Sequence, residues 1–421
     1  MPLGSVGRAA RRGVIWTTVT FVANRALTFV SVLVLARLLT PGDFGVVAAI
    51  LVFLSVLELV GDLGMKQTVV YEQEEGISER VQTAFTINAV IAFALTGVAI
   101  AAAEPIAALF GMAEEAHLFR LASLYLALTG LGNVHDSLLM RELAFKRRLA
   151  PQAGRALARG GLSIGLALAG LGAAALVWGM LAGAAAWTAI QWALTPLRPR
   201  LRFDRATARS MAGYASGAAA LQIVAAVGTR IDSVAIGRVL GASALGLYTI
   251  AFRVPELVIE SVAWNVSQVA FPALSKKRVT DRAGVARATL KLFHYQALYA
   301  VPVATGLALL APPLVVVLFS DTWREAGGVM SAVAVMTGIS SLVFPLGDVF
   351  KALARQRLYV VLMLVQFPVF AGTIILAAPH GILWVAWARV AVDALHAAVV
   401  GAVTLRILGV RLGALQRRAV P

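Results

Sequence analysis

The chain has 421 residues, 60% of them hydrophobic and only 14% charged, with a net charge of +16 and no cysteine. Soluble domains carry about 25% charged residues, so water is excluded as the main solvent. The missing thiols exclude disulfides, thiolate metal sites and cysteine nucleophiles.

A bilayer core about 30 Å thick takes roughly 20 apolar residues per helix, and stretches of that kind recur along the whole sequence. In chain order they are 13–36, 44–64, 82–103, 118–139, 150–170, 172–194, 210–237, 244–270, 286–310, 326–349, 357–378 and 381–406. The first is too long for the apolar core of a signal peptide, and no convincing small-residue cleavage site follows it, so it is expected to stay as a span. The fifth and sixth form one Ala/Gly/Leu-rich run from Gly161 to Leu194, too long for a single crossing. Its turn is expected at Gly170, Leu171 and Gly172. Two Pro-led apolar pieces too short to span, 105–110 and 312–319, are expected as interfacial segments. Pro41, Pro255, Pro272 and Pro345 fall at or inside span ends and are candidate bending points.

The cations decide between nucleic acid and membrane. Lys and Arg gather in alternate loops, whereas Arg37, Arg120, Arg238 and Arg324 fall on the opposite side and Arg25, Arg230, Arg253 and Arg389 fall within spans. A surface for nucleic acid would not alternate in this way. Positive charge concentrates on the cytoplasmic side of membrane proteins, so a multi-pass protein of the cell (inner) membrane with both termini cytoplasmic is expected.

The chain also repeats itself. LARLLTPGDFGVVAAI at 35–50 returns as IGRVLGASALGLYTIA at 236–251, MRELAFKR at 140–147 resembles FKALARQR at 350–357, and PIAALFG at 105–111 resembles PLVVVLFS at 313–320. An even number of spans per copy gives the copies one orientation. The expected fold is an all-α integral membrane protein of about 12 transmembrane helices in two parallel-repeat six-helix lobes. The lobes are expected at 1–195 and 210–421, joined by a basic cytoplasmic linker at 196–209.

Enzymatic signatures are absent. There is no phosphate-binding GxxxxGK[ST] loop and no HExxH helix, and His117, His135, His294, His380 and His396 lie at no ligand spacing. No catalytic residue, metal or cofactor is expected. GLSIG at 161–165 matches the GxSxG nucleophile pattern, but that chemistry needs a strand-to-helix turn and Ser163 lies in an apolar helix. Gly161 and Gly165 are expected instead to form a small-residue packing face, as are Gly179 and Gly183.

What remains is polarity inside the spans. Thr17, Asn24, Thr28 and Ser31 follow one face of the first span, with Arg25 at its edge; the same register in the seventh span holds Gln222, Thr229 and Asp232, with Arg230 beside them. Matched polar stripes suit a shared water-filled cavity, although Ser and Thr also bond their own helix or glue helices together. An arginine at membrane depth costs at least about 2.5 kcal/mol unless water or a partner receives it. Arg253 has Glu256 at i+3 and Glu260 at i+7, and Arg389 has Asp393 at i+4, so both have internal partners at hand. Arg25 has no carboxylate one turn away, and i+2 spacing separates Arg230 from Asp232; a guanidinium fork suits phosphate oxygens. Glu58, Asp232, Glu256 and Asp393 are candidates for binding a coupling proton or sodium ion, and equally for pairing with the arginines.

VLARLLTPGDFGVVA (34–48), LGMKQTVVYEQE (63–74), IDSVAIGRVLGASALGLYTIAFRV (231–254) and VAFPALSK (269–276) together resemble the polysaccharide transporter branch, with its Wzx-type lipid-linked oligosaccharide flippases, of the multidrug/oligosaccharidyl-lipid/polysaccharide exporter superfamily. The similarity runs from about residue 8 to 408. It implies two six-helix lobes opening alternately to either side of the membrane, and a polyprenyl-diphosphate-linked saccharide moved from inner to outer leaflet. It also implies cationic cavity groups that engage the diphosphate, a role carried over to Arg25 and then to Arg230, Arg253 and Arg389. Asn24, Thr28, Gln222 and Thr229 would line the same cavity. Glycosyltransferases or a polysaccharide polymerase are the protein partners that fit this reading. The alternative is an ion-coupled exporter of small amphipathic cations working through Glu58, Glu256 or Asp393; a membrane scaffold for glycosyltransferases is a third class.

Overall fold

The computed structural model describes residues 25–62, 77–141, 145–195, 198, 202, 204, 230–280, 282–353 and 355–409. Regular structure among them is helical, with no strand. The elements are α1 (25–38), α2 (Pro41–Asp62), α3 (Ile77–Leu109), α4 (Ala116–Arg141), α5 (Phe145–Leu168), α6 (Ala173–Leu194), α7 (Ile231–Ala251), α8 (Ser261–Thr280), α9 (Arg282–Phe319), α10 (Ala326–Ala352), α11 (Gln356–Ala377) and α12 (Ile382–Leu408). Eight helical stretches among the described residues are long and apolar enough to cross a bilayer. The remainder of the first and seventh expected spans, Asn24, Gln222 and Thr229 included, lies outside the described residues.

The repeated segment shows how sequence sets local structure twice by different means. α2 starts on a reciprocal cap: the Thr40 amide donates to Asp43 Oδ2 at 2.8 Å, and the Asp43 amide donates to Thr40 Oγ1 at 3.3 Å. Pro41 follows at the first helical position, where its missing N–H costs nothing. The second copy has neither group. There Gly241 breaks α7 with φ 85° and ψ −178°, a conformation open to glycine because it lacks a Cβ. The expected turn between the fifth and sixth spans follows the same logic, with φ 82° at Gly170 and 53° at Gly172.

The chain divides into two compact units, Met1–Gly246 and Leu247–Pro421, with α7 running across the boundary. In the first unit α3 packs along α4, α5 along α6, and α4 against α6. One layer of its core joins Val81, Phe85, Ala89 and Val134, covered by Leu131, Leu138 and Trp192. The start of α2 crosses the part of α7 beyond Gly241 at backbone distance. A Cβ on Gly45 would fall 1.8 Å from the Ala242 carbonyl oxygen, and one on Gly246 would fall 1.8 Å from that of Pro41. These are corresponding positions of the two sequence repeats, so the contact is reciprocal.

In the second unit α10 is central, packed by α8, α9 and α12, while α11 rests on α12. Of the apolar window of α10, 67% is buried against 6% for α11. Both helices are apolar all round, so sequence does not separate them; in a bilayer the exposed one faces acyl chains. Leu274, Val285, Val349 and Ala352 close one end of this core, and Val343, Leu346, Phe350 and Val400 fill a neighbouring layer.

Three expectations are corrected. The pieces at 105–110 and 312–319 are not separate interfacial segments: α3 continues through Pro105 to Leu109, and α9 through Pro302, Pro312 and Pro313 to Phe319. Each such proline removes one helix hydrogen bond, which neighbouring helices compensate, and Ala103, Ala107, Ala311 and Val315 are buried on either side. The basic residues at 147–159 are not loop residues, because α5 begins at Phe145 and carries them on its helix. Gly161 and Gly165 do not form a packing face, since a Cβ on either meets nothing within 4 Å. The face of α5 turned to α6 is Arg155, Arg159 and Ser163: a Cβ on Gly179 would fall 1.9 Å from Ser163 Oγ, and one on Gly183 would fall 2.9 Å from the Arg155 carbonyl. Positions two apart lie on roughly opposite sides of a helix, so the glycine pair faces away.

Candidate functional site

In the first unit, polar groups of three helices, α2, α3 and α4, share one cavity. In α1, Arg25 is half-buried and Thr28 exposed. Glu58 on α2, Asn88 on α3, and Thr129 and Asn133 on α4 line a cavity of about 320 Å³, completed by Ser55. Asn88 is buried and donates its side-chain amide to the Gly130 carbonyl, which fixes its carboxamide at the cavity wall. Glu58 is exposed toward this space. It is the one carboxylate of a lining otherwise made of hydroxyls, carboxamides and aliphatic groups.

The cation that the geometry brings forward is Arg155, one that sequence reading left in a loop. It lies three turns into α5, half-buried. Its guanidinium stacks over the rings of Tyr125 and Trp187, each at 5.6 Å, and donates to the Tyr125 hydroxyl. Such stacking contributes about 0.5–2 kcal/mol, and it holds the planar fork in one orientation. The signal was present in the sequence as Arg155, Arg159 and Ser163 at i, i+4 and i+8, but charges on the apolar ramp at 150–170 read as a loop flank. Nearer the basic end of the same helix, Arg148 makes a two-pronged pair with Asp136, at 3.1 and 2.9 Å.

At the start of α7, Arg230 is exposed and Asp232 is 2% exposed. The Ser233 amide donates to Asp232 Oδ1 at 2.7 Å, and a carboxylate in the first helical turn is favoured by the helix dipole. The arrangement gives Asp232 a role in starting α7.

The second unit builds a comparable cation site. Arg389 on α12 is half-buried and stacks between Phe252 and Phe370 at 5.5 and 5.6 Å. Its Nε is 3.9 Å from Asp393 Oδ2, and the Ser340 hydroxyl donates to the same carboxylate oxygen at 3.4 Å. The expected i+4 partner is therefore at hand, at the long limit for an ion pair. Arg253 and Glu256 are half-buried and Glu260 exposed. Between them Glu256–Glu260 forms a π-turn directly after Pro255, so the i+7 relation of Arg253 to Glu260 does not follow an α-helical face. π-turns of this kind recur at functional sites. Among the described residues no cluster of His, Cys, Asp and Glu could hold a metal ion.

Each unit thus holds a guanidinium on aromatic faces within apolar helices, Arg155 in the first and Arg389 in the second. Residues 34–327 match the family described as polysaccharide biosynthesis protein. The chain belongs to that family. Among members and relatives, the succinoglycan biosynthesis transport protein ExoT of Rhizobium meliloti (strain 1021) is 29% identical over 337 residues, covering 79% of this chain and 67% of that protein. The lipopolysaccharide biosynthesis protein WzxC of Escherichia coli (strain K12) is 22% identical over 346 residues, covering 82% and 70%. In fold, this polysaccharide biosynthesis protein is similar to the lipid II flippase MurJ in an inward closed conformation, with TM-score 0.78 and 14% identity over 92% of this chain and 86% of that one. It is also similar to an inward-facing multidrug resistance transporter of the MATE family, with TM-score 0.73 and 16% identity over 94% and 96%. The expected exporter-superfamily fold is the observed one.

Proposed function

We propose that the protein is a flippase for polyprenyl-diphosphate-linked saccharide, moving it from the inner to the outer leaflet for export of an O-antigen, capsule or exopolysaccharide. The observation that carries this is the occurrence, in both units of a polysaccharide biosynthesis protein, of half-buried arginines stacked on aromatic rings, Arg155 in one and Arg389 in the other. A diphosphate offers the paired anionic oxygens that a guanidinium fork grips, and low dielectric strengthens that grip. Arg25, Arg230 and Arg253 join them as head-group contacts, with Asn24, Thr28, Gln222 and Thr229 as hydrogen-bonding neighbours of the sugar. Glu58, Asp232, Glu256 and Asp393 are the carboxylates available for coupling to a cation.

In this reading the chain is a transporter and not an enzyme. It works by population shift between two arrangements of lobes that correspond to the sequence repeats at 1–195 and 210–421. The alternation of basic loops supports a place in the inner membrane with both termini cytoplasmic. Glycosyltransferases or a polymerase would be its neighbours there.

The test is flipping of a fluorescent lipid-linked saccharide in proteoliposomes containing the full chain. Wild type should make inner-leaflet label accessible to an external quencher, and Arg155→Ala and the double variant Arg25→Ala/Arg230→Ala should each slow it at least tenfold. Equal rates in protein-free vesicles and wild type would overturn the proposal; unaltered flipping in the variants would remove the arginines from it.

A further inference from the structure

In the cavity between α2, α3 and α4, most of the polar groups have already given up their protons to the backbone. A hydroxyl has one proton to donate. That of Ser55 goes to the Val52 carbonyl and that of Thr129 to the Tyr125 carbonyl, both at 2.8 Å and both within their own helix. Only lone pairs remain on these two oxygens. The Asn88 side-chain nitrogen donates to the Gly130 carbonyl. A carbonyl can only accept, so this contact fixes which end of the carboxamide is Nδ2 and leaves Oδ1 as its acceptor. Glu58 adds a carboxylate and Asn133 a second carboxamide.

These groups are close in register. Ser55 and Glu58 lie one turn apart on α2, Thr129 and Asn133 one turn apart on α4, and Asn88 is tied to Gly130 between the latter two. An anion would meet a carboxylate and few donors here. A sugar, whose hydroxyls both donate and accept, would leave its own acceptors unmet, and the described lining offers it no aromatic face. A divalent cation calls for more negative charge than one carboxylate brings. A monovalent metal ion is served by one carboxylate and several neutral oxygens.

We propose that Glu58, Ser55, Asn88 and Thr129, with Asn133, form a sodium site in the first unit. Glu58 has a further interaction within the protein, and a carboxylate with about four lone-pair sites can keep it while holding an ion. The site stands on its lining; its use in transport rests on the flippase reading. Tyr125, one turn before Thr129, accepts the Arg155 hydrogen bond, and the charge of Glu58 acts on its hydroxyl. Sodium at Glu58 therefore neutralises an anion near Arg155, so the ion and a diphosphate favour each other's binding, each by the same factor.

The experiment measures binding of radioactive sodium to the purified full chain in nanodiscs, with choline as the balancing cation. Wild type should bind saturably. Glu58→Gln and Thr129→Val, both close in shape to the native residue, should each weaken binding at least about tenfold, and Thr129→Ser should restore it. Sodium should raise the unfolding temperature of wild type but not of Glu58→Gln, while the two unfold alike in choline; should Thr129→Val fail to fold, Ser55→Ala gives the same reading. In flipping assays, replacing sodium by choline should raise the half-saturating concentration of lipid-linked saccharide about fivefold or more. Undiminished sodium binding in Glu58→Gln, or displacement of sodium by magnesium or calcium at equal concentration, would overturn the site. Flipping indifferent to sodium would overturn its link to Arg155. Wild type that binds sodium as described yet flips no lipid-linked saccharide would instead overturn the flippase reading.

Discussion

Replacing Gly45 by alanine tests the backbone crossing that ties the start of the second repeat to the first. The added Cβ would fall 1.8 Å from the Ala242 carbonyl oxygen and 2.5 Å from its carbon. Side-chain carbons essentially never approach closer than 3.0 Å, so α2 and α7 must separate by more than an ångström along the whole crossing. Overpacking against side chains costs about 1–3 kcal/mol. Here both obstacles are backbone, which cannot rotate away, so about 3 kcal/mol applies, equal to roughly a hundredfold in the equilibrium between crossed and parted helices. The chain has no cysteine, so a single Ala49→Cys reporter can be read without background; Ala49 is one turn from Gly45 and fully buried. Maleimide labelling of Ala49→Cys should accelerate about a hundredfold when Gly45→Ala is added. Gly246→Ala should act alike from the other side, and Gly97→Ala, where a Cβ meets nothing within 4 Å, should have no effect. Unchanged labelling in both Gly45→Ala and Gly246→Ala would refute the reasoning.

Gly179→Ala should lower the unfolding temperature of the detergent-solubilised protein, since its Cβ would meet Ser163 Oγ at 1.9 Å and the Arg159 carbonyl at 2.7 Å. Gly161→Ala should leave it equal or higher, by up to about 1 kcal/mol of helix propensity, and the reverse order would contradict the face assigned to α5. A double-mutant cycle on Arg148 and Asp136, half-buried and two-pronged, should give a coupling of about 1 kcal/mol. Additive effects in chemical unfolding would show that the pair is not coupled.

Membrane-length apolar runs, the alternation of basic loops and the internal repeat are local or periodic properties, so the sequence by itself determined the all-helical class, the order of the spans and the glycine turn at 170–172. The capping pattern of Thr40, Pro41 and Asp43 was equally open to inspection, because every atom involved belongs to four adjacent residues. The internal pairing of Arg389 with Asp393 was legible for the same reason, being one helical turn. Arg155 was not: its worth depends on Tyr125 and Trp187, which come from two other helices, and nothing in a linear reading brings them together. The choice between Gly161 and Gly179 as the packed glycine was also left to tertiary structure, since both lie in equally small-residue runs and only the rotation of α5 against α6 separates them. In a membrane chain nearly every span is apolar on all sides. Hydrophobicity therefore says which segments enter the bilayer, while the partners of each face, and hence the placement of its few charges, are settled by packing alone.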